Sequence, residues 1–439
     1  MQGKDTGLLD PFFRRLGQIS TWRSTGRVTK AVGFLVESDG PFCSVGECCE
    51  IVSADRQSHP GEVVGFRGRT VLSMPLDHPT GIRFGDQVVA HDVRPSLPVS
   101  EDLIGRVIDG SGAPLDSLGN YRAPDYLPLH GSPPQPLQRT PIHEPLACGI
   151  RAIDGMLTCG RGQRVGIFGG SGVGKSTLIG MMARGTAADL TVVALVGERG
   201  REVREFIEDS LGEEGLKRSV VVVATSDQSP LLRLRAALAA TTVAEYFSSR
   251  GRHVLLVIDS LTRVAMAQRE IGLAAGEPPT AKGYTPSVFS LLAQLVERAG
   301  HFGSGSITAF YSLLMEGDDQ QDPLVDAVRA LLDGHIVLDR KLAAQNHYPP
   351  ISILDSLSRL LSAVCSADHL AKIQRFRQLL AAYASSEDLI RVGAYQKGTD
   401  PVLDKALEVL PALLAFLQQK KEVQSTFDDA RARLLALPN

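Results

Sequence analysis

Two short stretches carry residue types whose spacing could do chemistry. The first is GGSGVGKST, residues 169–177, lying between the apolar run QRVGIF and the helical run TLIGMMARG. It satisfies G-x-x-x-x-G-K-[ST] in the strand–loop–helix setting that gives the pattern its meaning. Glycines let backbone N–H groups turn inward around phosphates, and the helix N-terminus adds a partial positive charge. The binding loop is Gly170, Ser171, Gly172, Val173, Gly174, Lys175, Ser176 and Thr177. Lys175 is expected to reach the β- and γ-phosphates, and the Ser176 hydroxyl to ligate Mg²⁺. The chemistry implied is phosphoryl transfer from a nucleoside triphosphate.

The second stretch is LVGERGRE, residues 195–202. The strand TVVALVG is expected to end beside the strand that feeds the glycine-rich loop. Ligands of parallel sheets bind at the C-terminal ends of the strands. Glu198 then sits where a carboxylate can orient the water that attacks the γ-phosphorus. That reaction needs positioning more than strong basicity. Glu202, Glu205, Glu208 and Asp209 fall on a helix beginning near Gly200. They are expected to be solvated, in Glu–Arg pairs worth tenths of a kcal/mol. Asp259 closes HVLLVID. An acid at the tip of a buried strand, downstream of such a loop, is placed to hold the Mg²⁺ shell through water. DSLTR also reads as a helix N-cap, which is compatible.

These residues need elements to hold them. Runs that are apolar throughout (QRVGIF, TVVALV, SVVVVAT, HVLLVID, SITAFYSLL, HIVLD) alternate with helical segments such as PLVDAVRALLD. That rhythm predicts an α/β fold with a parallel sheet covered on both faces. Before it, VTKAVGFLV, EVVGFRGRTVLSM and QVVAHDV are short, β-branched and split by Gly, Pro and Asp, which predicts a small β-barrel. After it, only helical periodicity remains. The expected divisions are an N-terminal amphipathic segment over 1–25, a barrel over 26–95 and a Gly- and Pro-rich linker over 96–146. The core is expected over 147–365, and a helical domain over 366–439. In the first segment Leu9, Phe12, Phe13 and Leu16 recur at helical spacing beside Arg14 and Arg15. Such a stripe docks on its own domain, a partner helix or an anionic membrane surface.

Composition narrows the classes. The 439 residues exceed one ordinary core. A net charge of −3 gives no global basic field for nucleic acid. No apolar run reaches the length of a membrane span, and the N-terminus lacks a secretory apolar stretch, so a cytoplasmic location is expected. Six scattered cysteines are not a disulfide framework. Cys43, Cys48 and Cys49 cluster without a second pair or a His at zinc spacing, so buried thiols are expected.

GGSGVGKST, VGERGREVREF, VLLVIDSLTRVAMAQREIGLAAGEPP, GYTPSVF, GSITAFYSLL, EGDDQQDP, DGHIVLDRKLA, HYPPISI and DSLSR together resemble the ATPase of flagellar and virulence type III protein-export machines. The resemblance runs from about residue 20 to the C-terminus and is densest over 140–365. That family is related to rotary ATP synthase subunits. The resemblance implies a RecA-like core between barrel and helical domain, ATP and Mg²⁺ as substrate and cofactor, and a homohexameric ring. It supports Glu198 as the water-orienting residue and makes Arg199 a neighbour of the phosphates. It also implies two further roles. Arg359, in DSLSR, would be an arginine finger reaching the adjacent subunit's nucleotide, and Tyr348, in HYPPISI, would stack on adenine.

The segment Gly276–Pro286, GEPPTAKGYTP, resembles the loop that lines the ring's pore and meets a stalk-like coiled-coil protein. Further partners implied are chaperones, cargo, the export gate at the inner membrane, and a regulator at the N-terminal segment. Two positions depart from the family: GYTP stands where GYPP is usual, and Asp339 where Ser is usual. The alternatives are a rotary ATP synthase catalytic-type subunit and a hexameric RNA helicase. The first would need a non-identical ring partner. AMAQREIGLAAGEPP and the continuous EGDDQQDP favour export. The second would need an aromatic-lined single-strand groove, which the barrel sequence does not offer.

Overall fold

Short β-branched runs broken by Gly, Pro and Asp close into a barrel near the N-terminus. The computed structural model describes residues 23–315 and 322–438. The N-terminal stripe of Leu9, Phe12, Phe13 and Leu16, and most of EGDDQQDP, lie outside the described residues. The barrel strands are β1 (Ser24–Val32), β2 (Leu35–Asp39), β3 (Cys48–Val52), β4 (Ser58–Arg67), β5 (Thr70–Pro75) and β6 (Gln87–Ala90), closed in the order β1-β2-β5-β4-β3-β6. Val28, Val36, Ile51, Val63, Val71 and Val88 fill it. Each such side chain contributes roughly 1.5–3 kcal/mol on burial. The barrel is fastened to the rest of the chain by a buried ion pair, Arg235 to Glu62 at 2.8 Å. The Ser229 hydroxyl also donates to Leu76 O at 2.7 Å.

The remaining strands follow in chain order. The first five are β7 (Ser96–Val99), β8 (Val107–Asp109), β9 (Asp125–Pro128), β10 (Pro145–Leu146) and β11 (Cys159–Gly160). Next come β12 (Arg164–Gly169), β13 (Leu190–Glu198), β14 (Ser219–Thr225), β15 (His253–Asp259), β16 (Gly300–Phe302) and β17 (Gly305–Leu314). The last are β18 (Gly334–Leu338) and β19 (Ile351–Ser358). The main sheet runs β19-β18-β12-β17-β15-β13-β14-β8, with β16 beside β17. All these neighbours are parallel except β16 with β17 and β18 with β19. Successive side chains of a strand face opposite sides. Val192, Ala194 and Val196 of β13 accordingly join one core cluster, while Val193 and Leu195 join the other.

The strand order corrects one expectation. β13 does not pair with the loop-bearing β12, because β17 and β15 lie between them. The run 96–146 is also not a plain linker. β7 pairs with β9, and β8 joins the edge of the main sheet against β14. Three residues are too few to show periodicity. Gly110, just beyond β8, lies where a Cβ would come 2.7 Å from Ala236 N, so only glycine lets the helix Pro230–Ser248 approach.

Helices cover both faces. Pro230–Ser248 and Leu261–Ala275 pack on one side and Lys175–Gly185 on the other. The C-terminal helices Ala367–Arg391, Pro401–Leu417 and Phe427–Ala436 extend the second cluster through Phe376, Val409, Leu413 and Phe416.

Candidate active site

The glycine-rich loop is shaped by two residues in the left-handed region, Gly172 at φ 77° and Gly174 at φ 98°. A side chain would be strained at either. Gly174 is the N-cap of the helix Lys175–Gly185, which places Ser176 and Thr177 in its first turn. The Lys175 ammonium is buried, and its Nζ has no hydrogen-bond partner among the described residues. Burial lowers its pKa, with Asp259 and Glu198 opposing that shift. A buried cation without an acceptor is costly, so the cradle is built for an anion.

Glu198 is aimed by a β-bulge. The register between β13 and β14 shifts between Val196 and Glu198, and Gly197 in that shift has φ 70°. A bulge re-aims the side chain that follows it. A Cβ on Gly197 would lie 3.0 Å from Arg263. Burial pushes the Glu198 carboxyl up to about 7, and Asp259 and a hydrogen bond to Glu202 push the same way. Glu202 is exposed and paired with Arg199, as expected, and in addition meets Glu198 at the rim of the phosphate cavity. One helical turn from Arg199, it is held by that residue's amide at 3.4 Å and its guanidinium at 3.5 Å. Glu205 and Glu208 do form solvent-exposed pairs, with Arg201 and Arg204.

Asp259 closes β15, and its carboxylate accepts from the Ser312 hydroxyl of β17. Capping of the following helix falls to Ser260, which leaves the Asp259 carboxylate turned to the cavity. A cavity of about 630 Å³ is lined by Ser171, Gly172, Gly174, Lys175, Ser176 and Thr177 on one side. Glu198, Arg199, Glu202, Asp259 and Arg263 line it too. β15, β13 and β12 thus deliver their C-terminal ends to one place despite the intervening strand β17. Ser176 and Asp259 offer hard oxygen donors on that wall, which fits Mg²⁺ held by a hydroxyl, water and substrate phosphates. Among the described residues no cluster of three His, Cys, Asp or Glu could hold a metal unaided.

An apolar cavity of about 340 Å³ adjoins the loop, lined by Gly174, Leu178, Met181, Tyr348, Pro349 and Pro350. Its far wall is Gln419, Lys420, Lys421 and Glu422 from the C-terminal segment. The Gln419 backbone N–H donates to Tyr348 O at 2.9 Å, which ties that wall to the aromatic residue. Mostly apolar and lined by the Tyr348 ring, this cavity suits a purine ring. Arg359 lies elsewhere. It follows β19 on the sheet edge, exposed to solvent and away from its own chain's phosphate cavity.

Residues 149–358 match the nucleotide-binding domain of the ATP synthase alpha/beta family, and residues 365–436 match the T3SS EscN ATPase C-terminal domain. The flagellum-specific ATP synthase of Pseudomonas aeruginosa is 52% identical over 94% of this chain and 92% of its own length. The type 3 secretion system ATPase of Sinorhizobium fredii is 48% identical over 94% and 92%. The chain belongs to the flagellar and type III secretion ATPase family. Among solved members, the assembled ATPase EscN of enteropathogenic Escherichia coli superposes with a TM-score of 0.89 at 43% identity, over 93% of this chain and 98% of EscN. EscN in complex with its central stalk EscO gives 0.86 at 42%, over the same shares.

Sequence reasoning missed Arg263, Ser226 and the wall at 419–422. Arg263 sits one turn beyond Asp259, a spacing that could have shown it. Residues 419–422 reach the site only through tertiary folding. The two departures from the family pattern have physical readings. Asp339 is the N-cap of the helix Arg340–Ala344, accepting from Lys341 N at 2.7 Å, a task Ser performs equally. Thr285 is fully buried. A Cβ on Gly272 would lie 2.6 Å from its hydroxyl, so it packs inward rather than facing outward with the exposed Pro278–Ala281. Of the cysteine cluster, Cys49 is buried while Cys43 and Cys48 are half-buried, and all are free thiols. Burial pushes Cys43 to about 11 and Cys49 to about 12.

Proposed function

We propose that this chain hydrolyses MgATP in a homohexameric ring that energises type III protein export, releasing chaperones and unfolding cargo at the inner-membrane export gate. One observation carries the reading. A buried, unpartnered Lys175, the raised carboxyl of Glu198 and the tip of Asp259 share one cavity, in a chain similar to export ATPases along nearly its whole length. The match of residues 365–436 to a type III secretion ATPase domain supports export over ATP synthesis.

The division of labour we infer is supported by the lining of the two cavities and by the family likeness. Backbone N–H groups of 170–177 and Lys175 hold the β- and γ-phosphates, and Tyr348 stacks the base. Glu198 orients the attacking water and accepts its developing proton, while Arg199 and Arg263 supply positive charge around it. Ser176, and Asp259 through water, would hold Mg²⁺, which would supply positive charge to offset that of the phosphates. Arg359 reaches the γ-phosphate of the neighbouring subunit, where an arginine finger is worth about 10³–10⁵ in rate. That is on the order of 4–7 kcal/mol of barrier. EscN assembles with a central stalk, EscO. By that likeness, Gly276–Pro286 lines the pore and meets a stalk-like coiled-coil protein. A regulator binds the N-terminal segment. The protein works in the cytoplasm, peripheral to the membrane, and no helix of its described residues is long and apolar enough to cross one.

The test is export itself. Cells whose only copy carries Lys175→Ala should secrete far less filament, hook or needle protein than wild type, with equal amounts of ATPase present. Undiminished secretion, or purified chain that fails to hydrolyse ATP, would contradict the proposal.

A further inference from the structure

The edge strand that ends at Arg359 is irregular in a specific way. His335 of β18 opposes Leu357 of β19, and Val337 opposes Ser352, so one residue, Ile336, faces the four residues 353–356. A bulge of that size removes ladder partners from the carbonyls within it, and such groups need other donors. Two side chains supply them all. Arg377, from the C-terminal helix Ala367–Arg391, donates through Nη1 to Ile353 O at 2.6 Å and Ser356 O at 3.2 Å, and through Nη2 to Leu354 O at 3.2 Å. His335 Nε2 donates to the remaining carbonyl, Asp355 O, at 3.0 Å. Its ring is stacked on Phe168 of β12, with centroids 5.4 Å apart and planes at 12°. Phe168 is the residue just before Gly169, where β12 ends. Beyond the bulge, Arg359 N donates to Asp333 O at 3.0 Å, and the Asp333 carboxylate is gripped by Arg164 at the start of β12.

We propose that Arg377 is a positioning residue for the Arg359 finger, fixing the bulge from which the finger projects, with His335 as its second support. The inference rests on the reading of Arg359 as an inter-subunit finger. Arg377 does not touch nucleotide. It acts by holding three carbonyls in one geometry, which a planar guanidinium can do and a single ammonium does poorly. Through it, the helical domain of one subunit sets the charge delivered to its neighbour's active site.

The experiment compares assembled rings of the full-length chain carrying Arg377→Met, Arg377→Lys and Arg359→Ala. Arg377→Met should lower kcat about 100-fold, the usual consequence of misplacing a catalytic group by about 1 Å. Its KM for ATP and its nucleotide affinity should stay within about twofold, because its own cradle is intact. Arg377→Lys should fall between it and wild type. Mixed with Lys175→Ala subunits, which lack the cradle but carry a supported finger, Arg377→Met should regain activity. Mixed with Arg359→Ala subunits, which bring no finger, it should not. If Arg377→Met does not assemble, His335→Ala should show the same pattern of rescue at smaller amplitude. Wild-type kcat in Arg377→Met beside a crippled Arg359→Ala would overturn this proposal alone. So would a loss that Lys175→Ala subunits cannot rescue. Wild-type kcat in Arg359→Ala would overturn the finger reading, and this proposal with it.

Discussion

The carboxyl of Glu198 hydrogen-bonds that of Glu202 four residues later, at the wall of the cavity into which the unpartnered Lys175 ammonium points. Two carboxyl groups in contact do not both ionise readily. Glu202, on a helix N-terminal turn beside Arg199, keeps its charge, and the more buried Glu198 holds the proton. The residue assigned to orient water is therefore held near neutrality, where a small change in its surroundings switches it on.

The first prediction concerns pH. The profile of kcat/KM reports ionisations of the free enzyme. The proposed role requires Glu198 as a carboxylate, so activity should rise through about pH 7 on the acid side. Glu202→Gln removes the neighbouring charge and the acceptor, so that limb should move to lower pH. A limb fixed near 4.5, or unmoved by Glu202→Gln, would show that Glu198 is not the group titrating.

Glu198→Gln should bind ATP with near-wild-type affinity and lose hydrolysis by about 10²-fold or more. Its stability has a defined sign. The folded carboxyl titrates near 7 and the unfolded one near 4.5, so its contribution is present below 4.5 and is lost as pH rises towards 7. Without nucleotide, the variant should melt above wild type at pH 8, and the two Tm values should converge near pH 4. Melting curves at both pH values check this.

Tyr348→Ala should weaken ATP binding by about 1–3 kcal/mol, the usual worth of a base–aromatic stack, and Tyr348→Phe should not. Tripolyphosphate, which has no base, should bind both variants as it binds wild type. Isothermal titration with the two ligands separates base from phosphate contacts.

Asp339→Ala should cost about 1 kcal/mol through loss of the N-cap of Arg340–Ala344, and Asp339→Ser only a few tenths. Chemical denaturation checks this, and kcat should be the same in both.

The cradle was legible in the sequence because local chain geometry makes it: glycines, a lysine and three hydroxyls lie within nine consecutive residues. Asp259 was legible for the same reason, as the tip of an apolar strand. The exposure of Glu202 was legible, but its contact with Glu198 was not, because helical spacing says which face a residue shares but not what that face meets. The order of β12 and β13 was misjudged because parallel strands leave no sequence trace of their neighbours. β8 hid within Gly- and Pro-rich residues because three residues show no period. Lys420 and Lys421 come to the apolar cavity beside Tyr348 only when the helical domain folds back. Arg359 and Tyr348 were marked by family likeness rather than by spacing, and in the single chain Arg359 faces solvent.

The account stands or falls on a site shared between subunits. The most direct measurement is ATP hydrolysis by rings assembled from equal amounts of Arg359→Ala and Lys175→Ala chains. Each variant alone should be nearly inactive. In the mixture about a quarter of the interfaces join an intact cradle to an intact finger, and activity should return to about that share of wild type. A mixture no more active than its two components would contradict the shared site, and equal turnover by isolated wild-type monomers would contradict it as plainly.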